Sequence, residues 1–244
     1  MSSKQIVRTA GAELFGHRDL SAVDRHWAPD YRQHSALAPD GPQGLKTMAA
    51  QLPPDFRFEP LRVLEDADMV AIHCLYHGFG PGPTVAVDVF RVDGDRIAEH
   101  WEGLAPLPDG AAGTRWIDGP TEITERENTG SNKMLVTEWV QNRLIDTDRE
   151  ALEELAGDPD YVEHGTGPDA RVARRTLHRV VGEGDFVLTV TEALLATGGD
   201  GEGDSPSVSA GCYDMWRVAQ GRILEHWEVV QPVPENLPHD NGFF

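Results

Sequence analysis

Asp88-Val-Phe-Arg-Val-Asp-Gly-Asp-Arg-Ile-Ala-Glu-His-Trp-Glu-Gly-Leu-Ala-Pro106 aligns without a gap on Asp214-Met-Trp-Arg-Val-Ala-Gln-Gly-Arg-Ile-Leu-Glu-His-Trp-Glu-Val-Val-Gln-Pro232, at an offset of 126. Asp, Arg-Val, Arg-Ile and Glu-His-Trp-Glu recur in place, so the chain is built from two copies of one unit. Upstream, Tyr31-Arg-Gln-His34 answers Tyr161-Val-Glu-His164 at an offset of 130, and Arg62-Val63 answers Arg179-Val180. The drift of the offset locates the differences. The second copy lacks about 13 residues after His164, where the first carries Gly44 to Arg57, and gains about 9 around Gly198–Asp204. That gain reads as an elongated hairpin tip.

Each copy opens with a helical stripe: Ile6, Val7, Ala10, Leu14 and Phe15 in the first; Leu135, Val136, Trp139, Val140 and Leu144 in the second. A second short helix follows, with a capping-box pattern at Thr147 and Glu150 and a weaker one at Ser21 and Asp24 before Trp27. Strands are then expected at 56–64, 69–77, 84–92 and 96–105, and at 176–182, 185–195, 207–218 and 222–231. Helices followed by a meander of long strands give an α+β class, with a curved antiparallel sheet wrapped over helices. The domains are read as residues 1–115, a Gly/Pro/Thr-rich linker 116–130, and 131–244, the second lacking the helix near Leu45–Ala50 and keeping a reduced pocket.

The 244 residues carry 41 acidic against 21 basic side chains, a net charge of −20, which argues against nucleic acid or an anionic membrane as partner. No apolar run reaches the ~20 residues of a membrane span, and the start of the chain lacks a secretory pattern. A cytoplasmic protein is expected. Cys74 and Cys212 fall in strands and read as small buried hydrophobes.

Candidate chemistry comes from strand alternation. A three-residue turn at Asp93-Gly94-Asp95 sets Asp88 across from His100, with Phe90 and Glu102 on the same face. The same geometry pairs Asp214 with His226. His73 is assigned to that interior on the face of Met69, Ala71, Leu75 and His77, and His34 to the mouth, beside Tyr31 and Trp27. An Asp and several His in an apolar cavity form an acid–base device, because burial brings both kinds of group nearer neutrality. A satisfied Asp–His pair that only fixes register is the plain alternative. A metal site on His34, His73 and His100 is a third reading, although His73 and His77 stand ~13 Å apart along a strand and cannot share an ion. Glu99 and Trp101 fall on the opposite face, as a solvent or interface feature. His239 carries no pattern. Gly78-Phe-Gly-Pro-Gly-Pro83 is a hairpin loop rather than a phosphate cradle.

Tyr31-x-x-His34, Asp40-Gly41-x-x-Gly44, His73, Asp88-x-Phe-Arg and Arg96-Ile-x-Glu-His100-Trp-Glu together resemble the SnoaL-like, polyketide cyclase-like family of the nuclear-transport-factor-type superfamily. Asp118-Gly-Pro-Thr-Glu-Ile-Thr and Asp240-Asn-Gly-Phe-Phe are similar to segments of that family. The resemblance implies two tandem cone-shaped, cystatin-like α+β barrels forming an intramolecular pseudo-dimer, or a homodimer of it. It also implies a cofactor-independent cyclase, lyase or isomerase acting on a small hydrophobic carbonyl-containing metabolite, with no cofactor or metal. In that reading Asp88 is the acid/base, with His34, His73 and His100 polarising the substrate, and Tyr31, Trp27, Phe90 and Glu102 shaping its site. Tyr161, His164, Asp214 and His226 line the second pocket. A ligand-binding protein without catalysis is the competing reading, since a fold does not fix its function.

Overall fold

The computed structural model describes residues 1–145, 149–165, 172–196 and 207–244. The contacts divide it into two compact units, Met1–Leu107 with Pro234–Phe244, and Pro108–Val233. The C-terminal eleven residues thus group with the first sheet, not with the second as the sequence reading places them. Thr147 and the Gly198–Asp204 tip lie outside the described residues.

In the first unit, α1 (Ser3–Gly11) starts at a capping box in which Ser2 and Gln5 satisfy each other's backbone. Its stripe of Ile6, Val7 and Ala10, continued by Leu14, is buried against Ile72, Cys74 and Ile97 of the sheet. Each of the larger side chains contributes about 1.5–3 kcal/mol by leaving water. Short α2 (Ala22–His26) leads directly into β1 (Trp27–Gln33). That strand, which the sequence reading missed, starts at Trp27 and carries Tyr31. Next, α3 (Gly41–Gln51) packs tightly: a Cβ on Gly44 would lie 2.1 Å from the Pro39 carbonyl oxygen, so that position requires glycine. Strands β2 (Arg57–Asp66), β3 (Met69–His77), β4 (Thr84–Asp93) and β5 (Arg96–Pro106) complete a sheet of order β1-β5-β4-β3-β2, antiparallel except for the β1–β5 pair.

The second unit repeats this order. After α4 (Gly110–Arg115), α5 (Thr129–Trp139) and α6 (Arg149–Gly157) come β6 (Val162–Glu163), β7 (Val172–Glu183), β8 (Phe186–Ala196), β9 (Ser207–Ala219) and β10 (Arg222–Pro232). They form the sheet β6-β10-β9-β8-β7, with β6 parallel to β10. Val136 and Val140 pack on Val187, Trp216 and Val218. Among the described residues nothing takes the place of α3. No described helix is long and apolar enough to cross a membrane.

Register decides what meets. The β4–β5 turn is two residues, Gly94 (φ 61°) and Asp95, and a bulge follows between Arg91 and Val92. Asp88 therefore stands opposite Glu102, and Phe90 opposite His100, instead of the Asp88–His100 pairing expected from the sequence. Turn and bulge each move the pairing by one residue; because the total shift is even, every side chain keeps its face. The second sheet does the same, with Asp214 opposite Glu228 and Trp216 opposite His226.

Candidate active site

On the helix-covered face of the first sheet, alternation brings Cys74 and Tyr76 of β3, Asp88 and Phe90 of β4, and His100 and Glu102 of β5 together. All but Cys74, which lies behind Asp88, line a cavity of about 370 Å³ whose walls are otherwise mainly apolar, with Trp27, Tyr31, Phe56, Phe58 and Phe79 among them. Asp88, His100 and Glu102 are only 2%, 8% and 4% exposed. These three are the polar base of an oily pocket.

Two donors converge on Asp88, the Tyr76 hydroxyl at 2.7 Å and the Cys74 thiol at 3.2 Å, and His100 Nε2 lies 2.9 Å from it. The other imidazole nitrogen, Nδ1, lies 3.0 Å from Gln33 Oε1. That oxygen also accepts the Ser35 N–H at 3.0 Å, which fixes the amide's orientation and places a hydrogen on His100 Nδ1. Phe90 stacks on the imidazole with ring centres 4.5 Å apart. Glu102 accepts from Ser35 Oγ and, at 3.4 Å, from the Tyr76 hydroxyl. Burial, reinforced by the neighbouring Asp88, raises Glu102 to about 7 against the pull of His100, Ser35 and Tyr76. Burial likewise pushes the Tyr76 hydroxyl and the Cys74 thiol well above their ordinary ranges, and the two carboxyl groups add to it. Both remain neutral donors.

His73, assigned to this interior, and His34, assigned to its mouth, are elsewhere. His73 points to the opposite face, where its Nδ1 meets buried Arg62 at 3.0 Å; the cavity side of β3 is the Ile72-Cys74-Tyr76 row. His34 leaves β1 on that same far side. Its ring stacks on Trp101 (centres 4.8 Å apart), Nε2 lies 3.0 Å from Glu99, and Nδ1 lies 3.0 Å from the Gly242 carbonyl. Glu99 and Trp101 are therefore partners of His34 within the unit. The His34–His73–His100 metal site falls with these corrections. Asp88, His100 and Glu102 each offer one ligand atom within 4.8 Å of the others, so an ion in this unit would be held by those three. Tyr31, Trp27, Phe90 and Glu102 do line the cavity. The sequence reading missed the roles of Tyr76, Cys74, Gln33 and Ser35. Cys74 and Tyr76 share one face of β3, but the strand is buried on both sides, so alternation did not mark that face as the inner one.

The second unit keeps the constellation and changes its surroundings. His226 Nε2 lies 3.0 Å from Asp214, and Trp216 stacks on its ring at 4.0 Å. Arg174, on β7 where β2 carries Phe58, sends its guanidinium to Asp214 at 2.7 Å and also to Glu228. Ala193 stands where Tyr76 stands in the first unit. Glu163, replacing Gln33, reaches His226 Nδ1 at 3.0 Å and accepts from the Tyr161 hydroxyl at 2.7 Å. Burial disfavours the charged imidazole, yet Glu163 and Asp214 on its two nitrogens raise His226 to about 10. Burial alone would raise Asp214; Arg174 and His226 hold it below the usual range. Here the cations are built in. His164, expected in the second pocket, instead lies between Asp118 (2.5 Å) and Glu225 (2.6 Å), stacked on Trp227.

Residues 9–100 match the SnoaL-like domain model. No curated protein matches the chain. Among solved structures, it is similar to a SnoaL-like polyketide cyclase from Agrobacterium tumefaciens, at 15% identity over 43% of this chain and 92% of that one, TM-score 0.37. It is also similar to IdmH, a candidate polyketide cyclase from Streptomyces antibioticus, at 21% identity over 43% and 92%, TM-score 0.36. A candidate ketosteroid isomerase from Kribbella flavida is similar at 13% identity over 49% and 90%, TM-score 0.38. Likenesses this distant do not bear on chemistry.

Proposed function

We propose that this chain, which carries a SnoaL-like domain over residues 9–100, is an acid–base enzyme needing no cofactor: a cyclase, lyase or isomerase for a small hydrophobic carbonyl compound. The observation that carries the reading is two carboxyl groups, Asp88 and Glu102, side by side at the polar base of an apolar cavity, one of them raised to about 7. A group poised there gives and takes protons at neutral pH at little cost.

The cavity walls would seat the apolar body of the substrate with its carbonyl oxygen toward protonated Glu102 and the adjacent C–H toward Asp88. Asp88 takes the proton, the C–H electrons move to the carbonyl oxygen, and Glu102 stabilises the resulting enolate by donating to it. In a β,γ-unsaturated carbonyl compound the enolate is a dienolate, and returning the proton from Asp88 to its γ carbon isomerises the substrate. Attack of an enolate carbon on a second carbonyl closes a ring, and the alkoxide formed takes up the proton that Asp88 removed. His100, held by Gln33, and the Tyr76 hydroxyl keep Asp88 aimed. The second unit, with Arg174 between its carboxylates, serves no such turn of protons.

The test is transfer of deuterium from D2O to the carbon beside the carbonyl in a panel of hydrophobic ketones and 1,3-diketones, followed by NMR. Exchange that Asp88→Asn abolishes supports the proposal. Binding without exchange across the panel would make the protein a carrier and reject it.

A further inference from the structure

His34 and His164, both displaced from the pockets, do a matching job in the two units. In the first unit, His34, held by Glu99 and stacked on Trp101, meets the returning C-terminal segment at the carbonyl of Gly242, whose φ is 80°. In the second, His164, Glu225 and Trp227 grip Asp118 and Gly119, with the Trp227 indole donating to the Asp118 carbonyl at 3.1 Å. A Cβ on Gly119 would lie 2.8 Å from Trp227 and 3.0 Å from both Glu225 and His164, so the segment is pressed directly onto the clasp. Asn241-Gly242 and Asp118-Gly119 are thus the docked pieces, each meeting a histidine that the Glu-x-Trp row of β5 or β10 holds in place.

The first segment reaches further. Asn241 Nδ2 donates to the Gln33 carbonyl at 3.0 Å and to Asp40 Oδ1 at 2.6 Å, while Asp40 accepts the Gln33 N–H at 2.9 Å. His239 Nε2 lies 2.9 Å from the Ser35 carbonyl. Phe243 is buried, at 4% exposure. The main chain of Gln33 and Ser35 is held by this strap, and their side chains are the ones that hold His100 Nδ1 and Glu102. We infer that the strap His239–Phe243 positions the acid–base cluster, with Asn241 and His239 as positioning residues acting through Gln33 and Ser35. The inference rests on the cluster being the working site, but its readout does not.

The test is the imidazole proton of His100 in the full chain, followed by nitrogen-15 NMR. Asn241→Ala is expected to speed exchange of the His100 Nδ1 proton by about tenfold or more, as local opening of the Gln33 segment becomes easier. His226, in the other unit, is the internal reference and stays unchanged. His239→Leu, which leaves Asn241, Gly242 and Phe243 docked, gives a smaller shift in the same direction, and His239→Gln, which keeps a donor, reverses it. An unchanged His100 proton in both Asn241→Ala and His239→Leu overturns the inference. Because no substrate is involved, a silent deuterium assay with a responsive His100 would sink the enzymatic reading alone.

Discussion

The first and second units place Asp, His and Glu at the same three sheet positions, 88/100/102 and 214/226/228, and differ in what surrounds them. In the first, neutral donors (Tyr76, Cys74, Ser35) and an amide (Gln33) face the cluster, and a cavity opens beside it. In the second, Arg174 and Glu163 take up the neighbouring positions and pair the charges off. In the second unit Arg174 and His226 hold Asp214 below the usual carboxylate range, while burial raises Glu228 in spite of Arg174. In the first, where no guanidinium among the described residues reaches the pair, burial and Asp88 raise Glu102 to about 7 against the pull of His100. Both copies carry the constellation: in the first it faces a cavity and includes a carboxyl raised toward neutrality, in the second it is an internal ion cluster.

Breaking that contrast has its largest effect on turnover. Asp88→Asn should lower any exchange activity by about 10²–10⁴-fold, the usual worth of a positioned acid or base, while Asp214→Asn leaves it within about twofold. Kinetics on the two variants, with circular dichroism to establish folding, decides this. Stability shows the reverse asymmetry. Arg174→Met leaves Asp214 and Glu228 buried without their cation and should cost about 3–5 kcal/mol in urea unfolding; Tyr76→Phe removes one neutral donor and should cost about 1 kcal/mol.

The pH windows differ as well. Glu102, raised from 4.5 to about 7, keeps a proton that the unfolded chain releases, so stability falls as pH rises across that window. Glu102→Gln should flatten the fall. His226, raised from 6.5 to about 10, contributes stability that is complete below 6.5 and lost as pH rises through 10. Unfolding curves between pH 4 and 10 should show the first slope vanish in Glu102→Gln and the second vanish in His226→Gln. The smallest effect concerns the clasps. Both Gly119 and Gly242 have positive φ, but only Gly119 lacks room for a Cβ. Gly242→Ala should cost about 1 kcal/mol and Gly119→Ala clearly more, measured by melting temperature.

The duplication, the helix stripes and eight of the strands were legible because gapless repetition and periodicity survive small errors of register. The face of Asp88 and His100 was legible for the same reason: the turn and the bulge erred by an even count. His73 was misassigned because β3 is buried on both sides, Val70 to Tyr76 all being buried, so alternation gave no polarity to choose a face. His34 and His164 were misassigned because the partners that claim them, Gly242 and Asp118, lie 208 and 46 residues away in sequence, beyond any local pattern. Arg174 went unnoticed for a related reason: its significance appears only when β7 is laid across β8 from β9. Charge compensation across strands leaves no periodic trace.

The most direct measurement of the whole account is the deuterium exchange of one responsive ketone, run side by side on the wild type, Asp88→Asn and Asp214→Asn. The account predicts exchange in the first and third and none in the second. Equal exchange in all three, or loss only when Asp214 is changed, would contradict it.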